Sequence, residues 1–252
     1  MRIYQKSDIG RVRKMNQDST FGEILAEKFT YAVVCDGMGG ANGGEIASSM
    51  AALHISEYLK KHLTYDFQIK DIKDRLTDCF HETNEYIHDK SLNDENLLGM
   101  GTTAVLALHE NDTLYVVNVG DSRAYRLCRD SITQLTTDHS IVQEMVDNGE
   151  ITKEEARSHP QKNIITRVLG TNKTVESDFF QYETHKEDAI LLCTDGLTNL
   201  VTDEEIYKLF YADCYEYDEF VENKYETFCE DLIKKANLNG GNDNITVALI
   251  TD

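Results

Sequence analysis

Three features of the sequence predict an α+β fold built on antiparallel sheet. The first third carries three β-rich runs, RIYQKSD, STFGEIL and FTYAVVC. The middle carries four more, TTAVLAL, TLYVVNV, RAYRLC and SITQL, separated only by HEND, GDS and RD. Gaps that short admit hairpins but no crossover helices, so a meander is expected there. Between the two sets, apolar residues recur three, four or seven positions apart, the period of a helix.

In order, the three runs are read as strands. Residues 44–62 follow as a helix with Ile46, Met50, Leu53 and Leu59 on one face, and 66–90 as a second with Ile69, Ile72, Leu76, Phe80 and Ile87. After the four middle strands, residues 139–170 turn polar and hold the sole proline, Pro160. Thr152 with Glu155 makes a capping box for a short helix there, and a mobile excursion from the core is expected. AILLC is a strand, Thr202 with Glu205 caps a helix from about 203, another helix fills much of 218–237, and ITVALI closes the chain as a strand. Without a fixed-period repeat or a low-complexity linker, residues 1–252 are read as a single domain.

Composition narrows the function. The 252 residues are 40% apolar, enough for one large core. They carry 45 acidic and 25 basic side chains, a formal charge of −20 that opposes binding to nucleic acid or anionic lipid. RVRKM, the densest basic stretch, is too short to build a groove. Six cysteines show no C-x-x-C spacing, and Cys35 and Cys193 sit in apolar runs, which suits a reducing cytoplasm. No apolar stretch approaches the roughly 18 residues of a membrane span, and the start lacks the apolar run of a secretory signal.

Acids recur at the ends of apolar strands. YAVVCDGMGG drives a buried run into Asp36, AILLCTDG does the same with Asp195, YVVNVGDS ends on Asp121, and Asp243 and Asp18 stand just ahead of strands. One Asp-Gly pair is ordinary turn chemistry. Five such acids brought to one rim would repel by roughly 4 kcal/mol per pair at about 4 Å with an effective dielectric near 20, so a cation belongs among them. Carboxylates and carbonyls without convergent His or Cys select Mg²⁺ or Mn²⁺ over Zn²⁺. Gly37 would let the backbone bend and turn its carbonyl toward a metal, while Gly39 and Gly40 leave room for substrate.

These segments resemble the metal-dependent serine/threonine protein phosphatases of the protein phosphatase 2C type, in particular the bacterial branch. The resemblance runs through SDIGRVRKMNQDS, VVCDGMGGANGGEIAS, GMGTTAVLAL, VVNVGDSRAYRL, LTTDHSIVQEMVDNGEI, NIITRVLG, LLCTDGLTNLVTDEEI and GGNDNITVALI, in order along essentially the whole chain. It implies a four-layer α/β/β/α sandwich of two antiparallel sheets flanked by helix pairs. Asp36 would bridge two Mn²⁺ or Mg²⁺ ions, with Gly37 offering its carbonyl to one. Asp195 and Asp243 would hold the other, Asp18 would act through coordinated water, and Asp121 with Asp195 would take a third, weaker ion. Arg13 would grip the substrate phosphate. The implied reaction is hydrolysis of phosphoserine and phosphothreonine in proteins by a water bridging the two ions, about 3.5 to 4 Å apart, with no phosphoenzyme. The expected setting is a cytoplasmic monomer that opposes a serine/threonine kinase.

Departures from the pattern carry their own expectations. Relatives usually place a histidine in the first acidic loop to protonate the leaving alkoxide, where this chain has Met38 and Ala41. Either water supplies that proton or another histidine does, His139 in TTDHS being the nearest by motif. Gln17 replaces an acid found in some relatives. Residues 139–170 match the family's flap and are expected to select substrate. Two other functions remain in view. A pseudophosphatase would have lost a direct metal ligand, and none is lost; two-metal chemistry on nucleic acid is opposed by the acidic charge.

Overall fold

The computed structural model describes residues 1–39, 43–216 and 223–252. β1 (Arg2–Asp8), β2 (Asp18–Leu25) and β3 (Phe29–Met38) open the chain, followed by α1 (Gly43–His62) and α2 (Ile72–Leu92). β4 (Gly101–Thr102), β5 (Ala104–Glu110), β6 (Thr113–Val119), β7 (Arg123–Cys128) and β8 (Ser131–Gln134) come next. The remainder is α3 (Ile141–Asp147), α4 (Lys153–Ser158), β9 (Asp178–Glu183), β10 (Ala189–Cys193), α5 (Asp195–Thr198), α6 (Asp203–Tyr211), α7 (Lys224–Leu238) and β11 (Ile245–Thr251).

Strand parity builds the layers. One antiparallel sheet runs β1-β11-β10-β7-β8 and the other β2-β3-β5-β6-β9. On β3, Phe29, Tyr31, Val33 and Cys35 pack under α1 and α2. The alternate residues Ala32 and Val34 meet Ile190, Leu192, Ala248 and Ile250 of the opposite sheet. On the far side, Leu191, Val247 and Leu249 pack against Phe210, Phe228 and Leu232 of α6 and α7. The result is the α/β/β/α sandwich that the resemblance implied.

Several local readings need correction. The middle strands are not one meander: β5 pairs β6 and β7 pairs β8, but β6 and β7 lie in different sheets. Gly120-Asp121-Ser122 is therefore a crossing between sheets, a role that loop length alone cannot distinguish from a hairpin turn. On α1 the buried side is Ala47, Ser48, Ala51, Ile55 and Leu59, while Leu53 is 54% exposed. Small residues let the helix lie close on β2 and β3, and Ser48 Oγ donates to Gln17 O; a hydropathy pattern favours the large residues instead. α2 begins at Ile72, after a 3₁₀ turn at Ile69–Asp71. The helix expected over 218–237 is seen as Lys224–Leu238, and residues 218–222 lie outside the described residues. α3 and β9 had no counterpart in the sequence reading; α3 is capped by Ser140, whose hydroxyl accepts from Gln143 N. Both capping boxes are present, at Thr152 and Thr202.

Candidate active site

Asp18 and Asp36 face each other across β2 and β3 as register partners. Asp36 continues the series Ala32, Val34 and so lies on the face between the sheets, at their rim. β3 does not break at Asp36 as the sequence suggested: it runs on to Met38 because Gly37 and Met38 pair with β4. Thr103, just past β4, holds Asp36 from both sides, its Oγ1 accepting from Asp36 N (2.9 Å) and its N donating to Asp36 O (2.9 Å). Asp18 Oδ2 accepts from Thr194 Oγ1 (2.9 Å), itself bonded by Thr246 N (3.0 Å). Asp195 opens α5 and its Oδ2 accepts from Asn199 Nδ2 (2.8 Å), one helical turn on. Asp243 Oδ2 accepts from Arg13 Nη2 at 2.7 Å.

These carboxylates destabilise one another's charged forms. Burial pushes Asp18 up to about 7, with the charges of Asp195 and Asp243 adding to it. Burial also drives Asp36 and Asp121 well above the usual carboxylate range, followed by the charge of Asp18 on Asp36 and of Asp195 on Asp121. Asp195 is raised by burial and then by Asp243. Like charges directly opposite in a sheet cost stability. Moreover, Asp18 Oδ1, Asp121 Oδ1 and Asp195 Oδ1 are buried with no hydrogen-bond partner. Orphaned, desolvated carboxylate oxygens from three separate chain segments fit a hard divalent cation. Among the described residues no three His, Cys, Asp or Glu side chains are grouped so that they could hold a metal ion by themselves. Asp243 is turned to Arg13 and Asp18 to Thr194, so an ion here would draw on backbone carbonyls and water as well, as Mg²⁺ commonly does.

The remaining expectations fare unevenly. Gly37 is needed for close approach rather than for a bend: an added Cβ would overlap Gly44 O and crowd Gln17 O. Gly39 does adopt a positive φ, +123°. Met38 is 40% exposed beside it, while Gly40 and Ala41 lie outside the described residues. Gln17 acts through its backbone, its O accepting from Gly37 N (3.1 Å) and its N donating to Asn244 Oδ1 (2.9 Å). His139 is not a proton donor facing solvent. It is 6% exposed, its Nδ1 accepts from Gly120 N, its Nε2 faces Asp178, and burial lowers its pKa.

A sequence model of the protein phosphatase 2C family matches residues 10–234. The chain belongs to that family. It is 38% identical over 245 residues to the serine/threonine phosphatase stp of Listeria innocua, covering 97% of this chain and 93% of the relative. Protein phosphatase PhpP of Streptococcus pneumoniae is 35% identical, with 100% and 97% covered. The crystal structure of serine/threonine phosphatase Stp1 from Staphylococcus aureus superposes with a TM-score of 0.89 at 33% identity, covering 99% of this chain and 94% of that one.

In this protein phosphatase 2C chain a cleft of about 340 Å³ opens beside the carboxylates, with Asp121, Arg123 and Asp195 among its lining. Residues of α3 and α4 line it; α4 is tied to α5 by Arg157 Nη2 to Thr198 O (3.2 Å), and Lys162, past α4, reaches Asn199 Oδ1 at the end of α5 (3.5 Å). Sequence reasoning missed Thr103, Thr194, Asn199 and Asn244. Asn244 Nδ2 donates to Ile9 O and Met15 O (both 3.0 Å), which pins the loop that carries Arg13. A signal was present for three of them: Thr194, Asn199 and Asn244 lie within one helical turn of Asp195 or Asp243, and Thr and Asn are residues that bond nearby backbone, whereas Thr103 is far in sequence from every acid motif.

Proposed function

We infer that the chain is a metal-dependent phosphatase of phosphoserine and phosphothreonine in proteins, with its chemistry at the rim where Asp18 and Asp36 meet. The observation that carries this reading is the register pairing of those two acids together with the partnerless buried oxygens of Asp18, Asp121 and Asp195. Asp36, the Gly37 carbonyl, Asp195 and Asp243 would hold two Mn²⁺ or Mg²⁺ ions, Asp18 would support them through water, and Asp121 with Asp195 would take a third, weaker one. Bound there, such ions supply Lewis-acid activation of water and neutralise charge on the phosphoryl oxygens.

The protein's own groups do the rest. Arg13 gives one N–H to Asp243 and has others left to bind phosphate, which orients phosphorus above the carboxylates. Thr103, Thr194 and Asn199 fix Asp36, Asp18 and Asp195 in place before substrate arrives, so no reorganisation is needed during reaction. Attack by water without a phosphoenzyme is favoured because the thiols nearest the acids, Cys35 and Cys193, are fully buried with their pKa values raised by burial. With His139 engaged on both ring nitrogens, water is left as the proton source for the leaving alkoxide.

We read residues 1–252 as one catalytic domain in which 139–170 selects substrate, and the protein as a cytoplasmic monomer opposing a serine/threonine kinase. The cytoplasmic reading is supported by six free cysteines, five of them buried. Among the described residues no helix is long and apolar enough to cross a membrane. Hydrolysis of p-nitrophenyl phosphate and of a phosphothreonine peptide with Mn²⁺, for wild type and Asp36→Asn, tests the reading. Turnover abolished by chelation and by the substitution supports it. Turnover indifferent to both, or absent from the Mn²⁺-loaded wild type, defeats it.

A further inference from the structure

His139 is a residue whose whole polar inventory is spent inside the fold. Its N donates to Gly120 O (3.0 Å) and its Nδ1 accepts from Gly120 N (3.1 Å), a two-bond bracket on the residue just before Asp121. Its O accepts from Thr166 N (2.8 Å), at the far end of the segment that begins with His139 itself. Because Nδ1 is an acceptor, the ring proton sits on Nε2, which lies 3.3 Å from Asp178 Oδ2. Arg167 Nη1 also lies 3.3 Å from Nε2, but its hydrogen bond is to Asp178 Oδ1 at 2.8 Å. The imidazole therefore joins the crossing between sheets to β9, while the main chain of the same residue ties that crossing to Thr166 at the far end of the segment.

The bracket continues toward the other acids. Gly120 has φ +111° and no room for a Cβ against the side chain of Thr103. Thr103 Oγ1 contacts Ser122 Oγ at 2.8 Å, and the same Thr103 holds Asp36 at both its N and its O. Asp36, Thr103, the Gly120–Ser122 crossing and His139 thus form one hydrogen-bonded frame, with Asp121 and its partnerless Oδ1 set in the middle. We infer that His139 is a positioning residue that fixes Asp121 for cation binding and ties that placement to how residues 139–166 are seated. The inference rests on the reading of Asp121 as a cation ligand.

Calorimetric titration of Mn²⁺ into chelator-treated full-length protein, together with hydrogen exchange at the Gly120 amide, tests it. Partners one shell out from a ligand typically carry about 10-fold or more in metal affinity. His139→Leu should weaken the weakest Mn²⁺ step about 10-fold and speed Gly120 exchange, while His139→Asn, whose Oδ1 can accept the Gly120 N–H, should recover most of both. Faster exchange with an unchanged isotherm, or no change in either, overturns the inference. Should His139→Leu fail to fold, Asp178→Asn decides: a smaller shift in both readouts supports the inference and none overturns it. Asp121→Asn separates the two readings. If it leaves the isotherm unchanged, the ligand reading of Asp121 falls and this inference with it; if it weakens binding while His139→Leu does not, only this inference falls.

Discussion

Two groups of acids in this molecule have opposite relations to the fold. At the helix starts, Glu155 and Glu205 accept from the backbone N and the hydroxyl of Thr152 and Thr202, and Glu205 adds Lys235 at 2.9 Å. Those hydrogen bonds lower both carboxyl pKa values. At the rim between the sheets, the half-buried Asp18, Asp36 and Asp195 and the buried Asp121 crowd one another and are raised. Both groups are carboxylates in the same chain; what differs is whether the fold supplies their partners. An acid with built-in donors stabilises the native state, whereas one left with an orphaned oxygen costs stability and is available to a ligand.

The contrast is most exposed at Asp36. Asp36→Asn should cut Mn²⁺-dependent phosphatase turnover by about 100-fold or more, since ligand loss exceeds the usual cost of an outer partner. The same change should raise the melting temperature in EDTA by about 2–4 °C, as expected for removing roughly 1 kcal/mol of buried charge. A variant that loses both activity and EDTA stability would break the contrast. Next in size, Arg13→Lys keeps the charge but loses the planar fork that serves Asp243 and phosphate together; turnover on a phosphothreonine peptide should fall about 10-fold, the worth of one charge-assisted hydrogen bond. Unchanged kinetics would remove Arg13 from the site.

Titration sharpens the comparison further. Asp18 has a folded-state pKa of about 7 against 3.8 ordinarily, so the native state binds more protons than the unfolded chain between those values. Its contribution to stability therefore falls as pH rises from 3.8 to about 7. Glu205, lowered by its partners, works the other way: its contribution is present above the ordinary carboxylate range and is lost as pH falls through the folded value. Denaturant midpoints in EDTA should decline less steeply with pH in Asp18→Asn than in wild type, and equal slopes would contradict the assignment. The smallest effect belongs to Thr202→Ala, which removes the cap of α6 and should cost about 1 kcal/mol in a urea melt.

Much of this protein is written locally. The β-rich runs, both capping boxes and the five acids at strand ends were legible because turn chemistry, capping and alternation depend on neighbours in the chain. Tertiary structure decided what depends on distant neighbours. It sends β7 to the opposite sheet from β6, which makes Asp121 a residue of a crossing, and it buries the small side of α1 instead of Leu53. It also turns His139, by motif a loop histidine, into an internal bracket, and pairs Arg13 with Asp243 across 230 positions. A strand's period says which residues share a face; only packing against remote side chains settles which face, which sheet, and which acids are left without a partner.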